Sequence, residues 1–248
     1  CGDVFASPSV DAVLAGILAV TGKAGCLLIV KNYTGDRLNF ALAAERARAF
    51  GLKVSMVIVD DDVALPHLPQ ARGVAGTLFV HKIAGAMADA GADLDAVTEA
   101  ARKAIANMAS IGMSLDTCTV PGSPKEMRIP AGKAELGLGI HGEPGVEQVD
   151  FSGAKDAIDR VAEKLASTMA PGPHVVLLNN LGGISALEMA VLTNELTRSV
   201  LADRISHIVG PATMMTALDM SGFSISVLPE TVADVAALAA SVRVSAWP

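Results

Sequence analysis

The sequence predicts an α/β fold: two α/β domains with mixed, largely parallel sheets flanked by helices. The segments Cys26–Val30 and Val54–Val59 are short, continuous apolar runs, which are typical of strands buried on both faces. Between them, the segment from Asp36 to Phe50 carries apolar residues at helical spacing. A strand, a helix and a second strand in this order favour parallel pairing of the two strands.

The rest of the chain shows the same alternation of predicted strands and helices. Pro121-Gly122-Ser123-Pro124 is the clearest break in the pattern. It predicts a boundary between a first domain, residues 1–120, and a second domain, residues 121–248. The apolar segment Ala12–Val20 is far shorter than the roughly 20 residues of a transmembrane helix, so we expect a buried helix there. Further helices are predicted at 83–90, 94–108, 154–169, 185–203 and from 231, and further strands at 175–178, 205–209 and 224–228.

Charge and composition exclude several classes of partner. The 248 residues carry a net charge of −7 and only 3% aromatic residues, which argues against a nucleic-acid or anionic-membrane surface. The three cysteines, Cys1, Cys26 and Cys118, lack the spacing of a metal site and are typical of reduced thiols in a cytoplasmic protein. The five histidines form no zinc signature.

One histidine stands between glycines in the segment Gly139-Ile140-His141-Gly142-Glu143-Pro144-Gly145. The residues before it alternate between apolar side chains and glycine or a charge. If this run is a strand, His141 lies on a face that glycines keep clear, where a small molecule can approach it. Taken alone, the pattern fits a hydrogen-bonded turn histidine better than a ligand contact.

A second candidate site follows the first predicted strand. Lys31-Asn32-Tyr33-Thr34-Gly35-Asp36 is predicted to be a tight turn that enters a helix, with Asp36 at the N-cap. Open α/β sheets bind ligands beyond the carboxyl ends of their strands, which is where Lys31 and Asp36 fall. An ordinary helix cap and a solvated lysine at a strand end are the alternative interpretations.

Taken together, these motifs resemble those of the dihydroxyacetone kinases. The similarity is to the substrate-binding K domain of that family, not to the helical L domain that carries the nucleotide. It extends over essentially the whole chain, in the family's order. The matching segments are Gly2–Ser9, Val30–Phe40, Arg72–Thr77, His81–Ala86, Gly139–Gly145 and Asn179–Gly183.

The resemblance implies a mechanism and assigns four residues to it. His141 matches the histidine that attacks the ketone carbon of dihydroxyacetone to form a covalent hemiaminal. Asp36 matches the base that accepts the proton of the substrate hydroxyl as it attacks phosphorus. Lys31 and Ser7 match substrate-binding residues. Glu143 is a candidate to orient the imidazole, but a turn carboxylate that faces solvent is the more common arrangement, so we leave it out of the predicted site.

In this family ATP and magnesium belong to a partner L domain or subunit, where phosphoenolpyruvate regenerates the nucleotide in some members. The resemblance therefore predicts no cofactor and no metal bound by this chain alone. Asp60-Asp61-Asp62 matches an acidic pair that the family keeps for structural reasons, and His81 is likewise interpreted as structural. The glycine turn Asn179–Gly183 lacks the spacing of a nucleotide-binding loop and is expected near the pocket.

One family segment has no counterpart here. It is a glycine-rich stretch that ends in His-Glu-Pro and whose histidine acts beside the aspartate. We therefore expect the chain to be a fragment that lacks the N-terminal part of its first domain. The resemblance implies a cytoplasmic, homodimeric kinase of dihydroxyacetone. The alternatives are a kinase for a four-carbon ketose such as erythrulose and a non-catalytic dihydroxyacetone sensor or coactivator; the presence of Asp36 favours a kinase.

Overall fold

The computed structural model describes residues 2–64, 71–233, 235–244 and 247. The first part of the chain forms the predicted βαβ unit behind an N-terminal helix. Its two strands pair in parallel, from Cys26 beside Val54 to Lys31 beside Val59. The elements are helix α1 (Val10–Val20), strand β1 (Cys26–Lys31), helix α2 (Thr34–Ala49) and strand β2 (Val54–Val59).

The rest of the chain is built around a larger sheet. Its helices are α3 (Thr77–Asp89), α4 (Leu94–Ile105), α5 (Ala154–Ala166), α6 (Ala186–Leu196) and α7 (Val235–Ala239), with a 3-10 turn at Ala202–Arg204. Its strands are β3 (Ala109–Ser114), β4 (Lys133–Leu136), β5 (Glu147–Asp150), β6 (His174–Asn180), β7 (Ile205–Ala212) and β8 (Gly222–Pro229). Most of these elements were predicted; the predicted helix 185–203 ends earlier, at Leu196, and the one expected from 231 begins at Val235.

The larger sheet has the strand order β5-β4-β3-β8-β6-β7. Only β6 and β7, which α6 connects, are parallel; the other four neighbouring pairs are antiparallel. The α/β class with mixed sheets and flanking helices is confirmed. The antiparallel share is greater than the sequence suggested, because a parallel pair needs a crossover and β3, β4 and β5 follow one another through loops.

The chain passes from the two-stranded sheet to the larger sheet before the predicted boundary at 120/121. Strand β3 precedes that boundary yet lies between β4 and β8 in the larger sheet. A bridge between Asp62 and Ser110 places the end of β2 beside β3. One apolar cluster, centred on Phe79, also joins residues of both sheets, among them Val59 and Leu177. The division into two domains at residue 120 stays a prediction.

Helices cover both faces of the larger sheet, so β6 and β8 are buried along their whole length. Helices α5 and α6 pack on one face, and α3, α4 and α7 on the other. Helix α6 begins with a capping box in which Ser185 and Glu188 bond each other's backbone amides, a strong start signal in the sequence.

The buried helix predicted at 12–20 is present as α1, but it is buried on one side only. In α1 only Val13, Leu14 and Ile17 are buried, and they pack with α2 against the small sheet. Leu18 and Val20, in the last turn of the helix, are exposed. Within the described ranges, no helix combines the length and hydropathy needed to cross a membrane.

Candidate functional site

His141 lies in a loop, not in the strand that the alternating pattern predicted. Strand β4 ends at Leu136, and the carbonyl of Leu136 accepts a 2.8 Å hydrogen bond from the amide of Val146, which closes residues 137–145 into a loop. The strand ends there because Gly137 adopts a φ of 68°, a left-handed conformation that favours glycine. The far end of the loop is fixed by the buried Glu135 carboxylate, which accepts a bond of 3.1 Å from the amide of Gly145.

Glu143 binds His141 directly. The Nδ1 atom of His141 lies 3.2 Å from Oε1 of Glu143, and the His141 amide donates to Oε2 at 2.8 Å. Burial alone raises the pKa of the Glu143 carboxyl, but the hydrogen bonds from His141 outweigh it, so this pKa lies below its usual value. The prediction that Glu143 faces solvent was wrong: the residue orients the imidazole, because Gly139 has no side chain to keep the carboxylate away.

This contact favours one tautomer of the His141 imidazole. A carboxylate at Nδ1 favours the tautomer that carries its proton on Nδ1 and leaves a lone pair on Nε2. In the part of the chain that the structure describes, Nε2 makes no hydrogen bond. The neutral imidazole can therefore act as a nucleophile through Nε2.

Two aromatic rings pack edge-on against the imidazole. The ring of Tyr33 lies 4.5 Å from it and the ring of Phe5 lies 5.6 Å away, measured between centroids. Phe5 has a φ of 54°, a costly conformation for a residue other than glycine and one that is common at functional sites. Burial, with a smaller effect of Glu143, raises the pKa of the Tyr33 phenol, so the ring stays uncharged.

The turn after β1 places Lys31 and Asp36 at the same edge of the small sheet, where strand β1 ends. Burial lowers the pKa of Lys31, and the opposing attraction of Asp61 and Asp36 shows that both carboxylates lie within electrostatic range of its amine. Asp36 is not the N-cap: the chain is extended at Tyr33, so helix α2 begins at Thr34 and Asp36 lies in its first turn. Among the described residues, its half-buried carboxylate has no hydrogen-bond or ion-pair partner.

Ser7 packs against the same turn. A Cβ placed on Gly35 would lie 2.5 Å from Oγ of Ser7, so the hydroxyl occupies the space that glycine leaves beside Asp36. The segments that carry the four predicted site residues thus meet. Phe5 and Tyr33 contact His141, Ser7 contacts the turn at Gly35, and Lys31 and Asp36 flank Tyr33.

The acidic run after β2 is bound to the protein itself. Asp61 is fully buried and accepts hydrogen bonds of 2.7 Å from the amides of Val74 and Gly76. Burial raises the pKa of its carboxyl against these bonds. Asp62 bonds the Arg72 side chain and the Ala64 amide. No cluster of three or more His, Cys, Asp or Glu with the geometry of a metal site occurs among the described residues.

The glycine turn after β6 does not fit a phosphate group. The amide of Gly182 already donates to the Asn180 side chain at 2.8 Å. A Cβ on Gly182 or Gly183 would overlap the carbonyl oxygens of Leu218 and Asp219, so these glycines serve the close approach of another chain segment. The backbone of this turn is therefore used in contacts within the protein.

The structural role of His81 stays a prediction. The residue lies in helix α3, where partial burial and the nearby charge of Lys31 lower its pKa. Cys26 and Cys118 form no disulfide, whereas Cys1 lies outside the described residues. Burial raises the pKa of the Cys118 thiol, and its Sγ would lie 2.9 Å from a Cβ on Gly142, so it supports the His141 loop.

Comparison with known proteins identifies the family. Residues 1–246 match the family model of the Dak1 domain. The chain belongs to the Dak1 family. The resemblance to dihydroxyacetone kinases is thereby confirmed over nearly all of its length.

Three similar proteins are informative. The dihydroxyacetone kinase of Citrobacter freundii is 51% identical over 252 residues, which cover all of this chain and 45% of that protein. Its crystal structures, native and with AMP-PNP and Mg²⁺, match at a TM-score of 0.95 and 50% identity, and 46% and 47% of those chains are covered. This chain thus spans less than half the length of that relative.

The other two relatives are of more similar length. The dihydroxyacetone-binding subunit of PTS-dependent dihydroxyacetone kinase 1 of Listeria innocua is 40% identical over 92% of this chain and 72% of its own. The structure of a dihydroxyacetone kinase operon co-activator matches at a TM-score of 0.85 and 26% identity, over 93% of this chain and 73% of that chain.

Three residues that contact the His141 loop, Phe5, Tyr33 and Arg72, were not predicted as site residues although they lie inside the matched motifs. Phe5 and Tyr33 lie inside motifs that were singled out for Ser7, Lys31 and Asp36. Arg72 likewise opens a matched segment. Their contacts with the His141 loop join parts of the chain that are 65 or more residues apart, and no local pattern reveals such contacts.

Proposed function

We propose that this chain is the ketose-binding part of a dihydroxyacetone kinase, which holds its substrate covalently on His141. The proposal rests above all on one observation: Oε1 of Glu143 lies 3.2 Å from Nδ1 of His141, a contact that favours a proton on Nδ1 and a lone pair on Nε2. Membership of the Dak1 family supports it, as do the functions for which the relatives from C. freundii and L. innocua are named.

The covalent step follows from this arrangement. Nε2 forms a bond to the ketone carbon, and the carbonyl π electrons move onto the oxygen. Nδ1 gives up its proton in the direction of the Glu143 carboxylate. The former carbonyl oxygen gains a proton. The product is a neutral hemiaminal. Dihydroxyacetone is a very small molecule that can make few contacts, and the covalent bond adds both affinity and orientation.

The remaining site residues act on the hydroxyl that receives the phosphoryl group. Asp36, whose carboxylate has no partner among the described residues, accepts its proton as the oxygen attacks phosphorus. The partly buried Lys31 amine and the Ser7 hydroxyl bind the substrate hydroxyls. The covalent bond also sets specificity, because glycerol has no carbonyl carbon for Nε2 to attack.

The phosphoryl donor belongs to a partner. The C. freundii relative was crystallised with AMP-PNP and Mg²⁺, whereas in this chain Asp61 and the amide of Gly182 are engaged in contacts within the protein. We therefore assign nucleotide and magnesium to an L-type domain or subunit that docks over Ser7, Lys31, Asp36 and His141.

A ketose sensor is the second candidate function, since the chain also matches an operon co-activator in structure. A sensor needs the covalent histidine but not the base, so the unpartnered Asp36 carboxylate favours the kinase. A kinase for a four-carbon ketose uses the same chemistry.

Phosphorylation of dihydroxyacetone, erythrulose and glycerol by the complete protein tests the proposal, with an L-type partner added if needed. We expect activity on the ketoses, none on glycerol, and its loss in His141→Asn but not in the surface control His207→Asn. Ketose binding without phosphoryl transfer would favour the sensor, and glycerol phosphorylation would contradict the covalent mechanism.

A further inference from the structure

A buried arginine joins the His141 loop to the end of strand β2. The Nε atom of Arg72 donates to Oδ2 of Asp62 at 2.7 Å, and one of its Nη atoms donates to the carbonyl of Gly137 at 2.7 Å. The side chains of Arg72 and Asp62 are 14% and 2% exposed. The hydrogen bonds of this pair are charge-assisted, although burial outweighs the charge of Arg72 and raises the pKa of the Asp62 carboxyl.

The Asp62 end of this link is rigid. Its Oδ1 accepts a 2.9 Å hydrogen bond from the amide of Ala64, and its own amide donates to the carbonyl of Arg72 at 3.0 Å. A β-bridge to Ser110 connects it to strand β3. The side chain of Asn32, in the turn after β1, donates to the carbonyl of Ala71 at 2.6 Å, so the segment that carries Arg72 is tied to the turn of Lys31 and Tyr33.

The Gly137 end is the first residue of the loop that carries His141. The amide of Gly137 donates to the carbonyl of Gly112 at 2.7 Å, and its carbonyl accepts from Arg72. A Cβ on Gly137 would overlap the Cβ of Ala64, so the loop begins pressed against the segment after Asp62. Both polar backbone groups of Gly137 are satisfied, one by strand β3 and one by the Arg72 side chain, and this fixes where the loop starts.

We propose that Arg72 is a positioning residue for His141. It holds the start of the loop in register with the β1–α2 turn, so that Tyr33 contacts the imidazole while Glu143 binds Nδ1. This inference rests on the proposed function for its meaning in catalysis, but the position of the ring can be measured without any substrate.

The substitution Arg72→Lys separates positioning from simple stability. A lysine amine keeps the positive charge beside Asp62, but it has no planar fork with which to bind Asp62 and the Gly137 carbonyl together. Arg48→Lys is the matched control. Arg48 also donates to a backbone carbonyl, that of Val54 at 2.9 Å, but at the opposite end of the small sheet.

The test uses the complete protein, labelled with ¹⁵N in its histidines, with His141→Asn to assign the ring signals. We expect wild type and Arg48→Lys to show the tautomer protonated at Nδ1, and Arg72→Lys to show a mixture of both tautomers. The affinity for dihydroxyacetone should fall about tenfold in Arg72→Lys, the effect of one lost charge-assisted hydrogen bond. If Arg72→Lys does not fold, the double variant Asp62→Asn/Arg72→Gln, which buries no unpaired charge, takes its place.

The outcomes separate the inference from the function. An unchanged tautomer in Arg72→Lys, or an equal loss in Arg48→Lys, would overturn the positioning role. A tautomer that depends on Arg72 in a protein that binds no ketose would support the positioning role and contradict the proposed function.

Discussion

Gly139 and Glu143 share one space: a Cβ at position 139 would overlap the Glu143 carboxylate oxygen that accepts the His141 amide. The sequence suggested that Gly139 clears a path for the substrate, but the structure gives it a different role. It makes room for the carboxylate that orients the imidazole.

Gly139→Ala is expected to displace Glu143 and to weaken ketose binding about tenfold, since one charge-assisted hydrogen bond is lost. Binding is measured by titration with dihydroxyacetone. Gly85→Ala is the control, because Gly85 is exposed in α3 and a Cβ added there would have nothing within 4 Å. That change should leave binding intact and add about 0.5–1 kcal/mol of stability. Equal binding by both variants would show that Glu143 does not need this space.

Glu143→Gln is expected to lower the stability at neutral pH by about 1 kcal/mol, because a neutral amide replaces a partly exposed charged acceptor. The pKa of Glu143 is lowered from its ordinary 4.5 in the folded state, so its ionised form contributes stability above about that pH. This contribution is lost as the pH falls through the folded pKa. Urea unfolding from pH 7 to pH 3 should show the gap between wild type and variant shrink below pH 4.5. A gap that stays constant to pH 3 would mean that the charge of Glu143 is not used.

Asp36→Asn is expected to retain ketose binding and to lower phosphoryl transfer by about 10² to 10⁴, the range for loss of a general base. Single-turnover transfer and equilibrium binding, measured on the same preparation, separate the two effects. Near-normal transfer would reduce Asp36 to a favourable charge in the first turn of α2.

Photo-crosslinking with an azido analogue of ATP tests the assignment of the nucleotide to a partner. We expect labelled peptides of the complete protein, or of its L-type partner, to lie outside residues 1–248. Labelling of the turn 180–185 would contradict the finding that this turn is filled by its own contacts.

The sequence was most informative where structure is local. The βαβ unit follows from two buried apolar runs around one helix, and the start of α6 from the glycine turn that precedes Ser185. Asp36 was predicted one turn out of place because the extended backbone of Tyr33 shifts the helix start to Thr34. Antiparallel neighbours such as β3 and β8 are more than 100 residues apart, and no local pattern reports their pairing.

In the candidate site, too, local motifs could be predicted from the sequence, whereas contacts between distant segments could not. His141, Asp36, Lys31 and Ser7 were found through motifs, and their roles stay predictions. Glu143 was considered and set aside, since a turn carboxylate two residues from a histidine is common and only the fold shows that it turns inward. The contacts of Tyr33, Phe5 and Arg72 depend on how the two sheets meet, which the order of the elements does not determine.

A crystal structure of the complete protein soaked with dihydroxyacetone tests the central claim most directly. We predict continuous density from Nε2 of His141 to a tetrahedral C2 of the ketose, with Nδ1 still facing Glu143. An ordered ketose with a planar carbonyl, lying unbonded beside the imidazole, would contradict it.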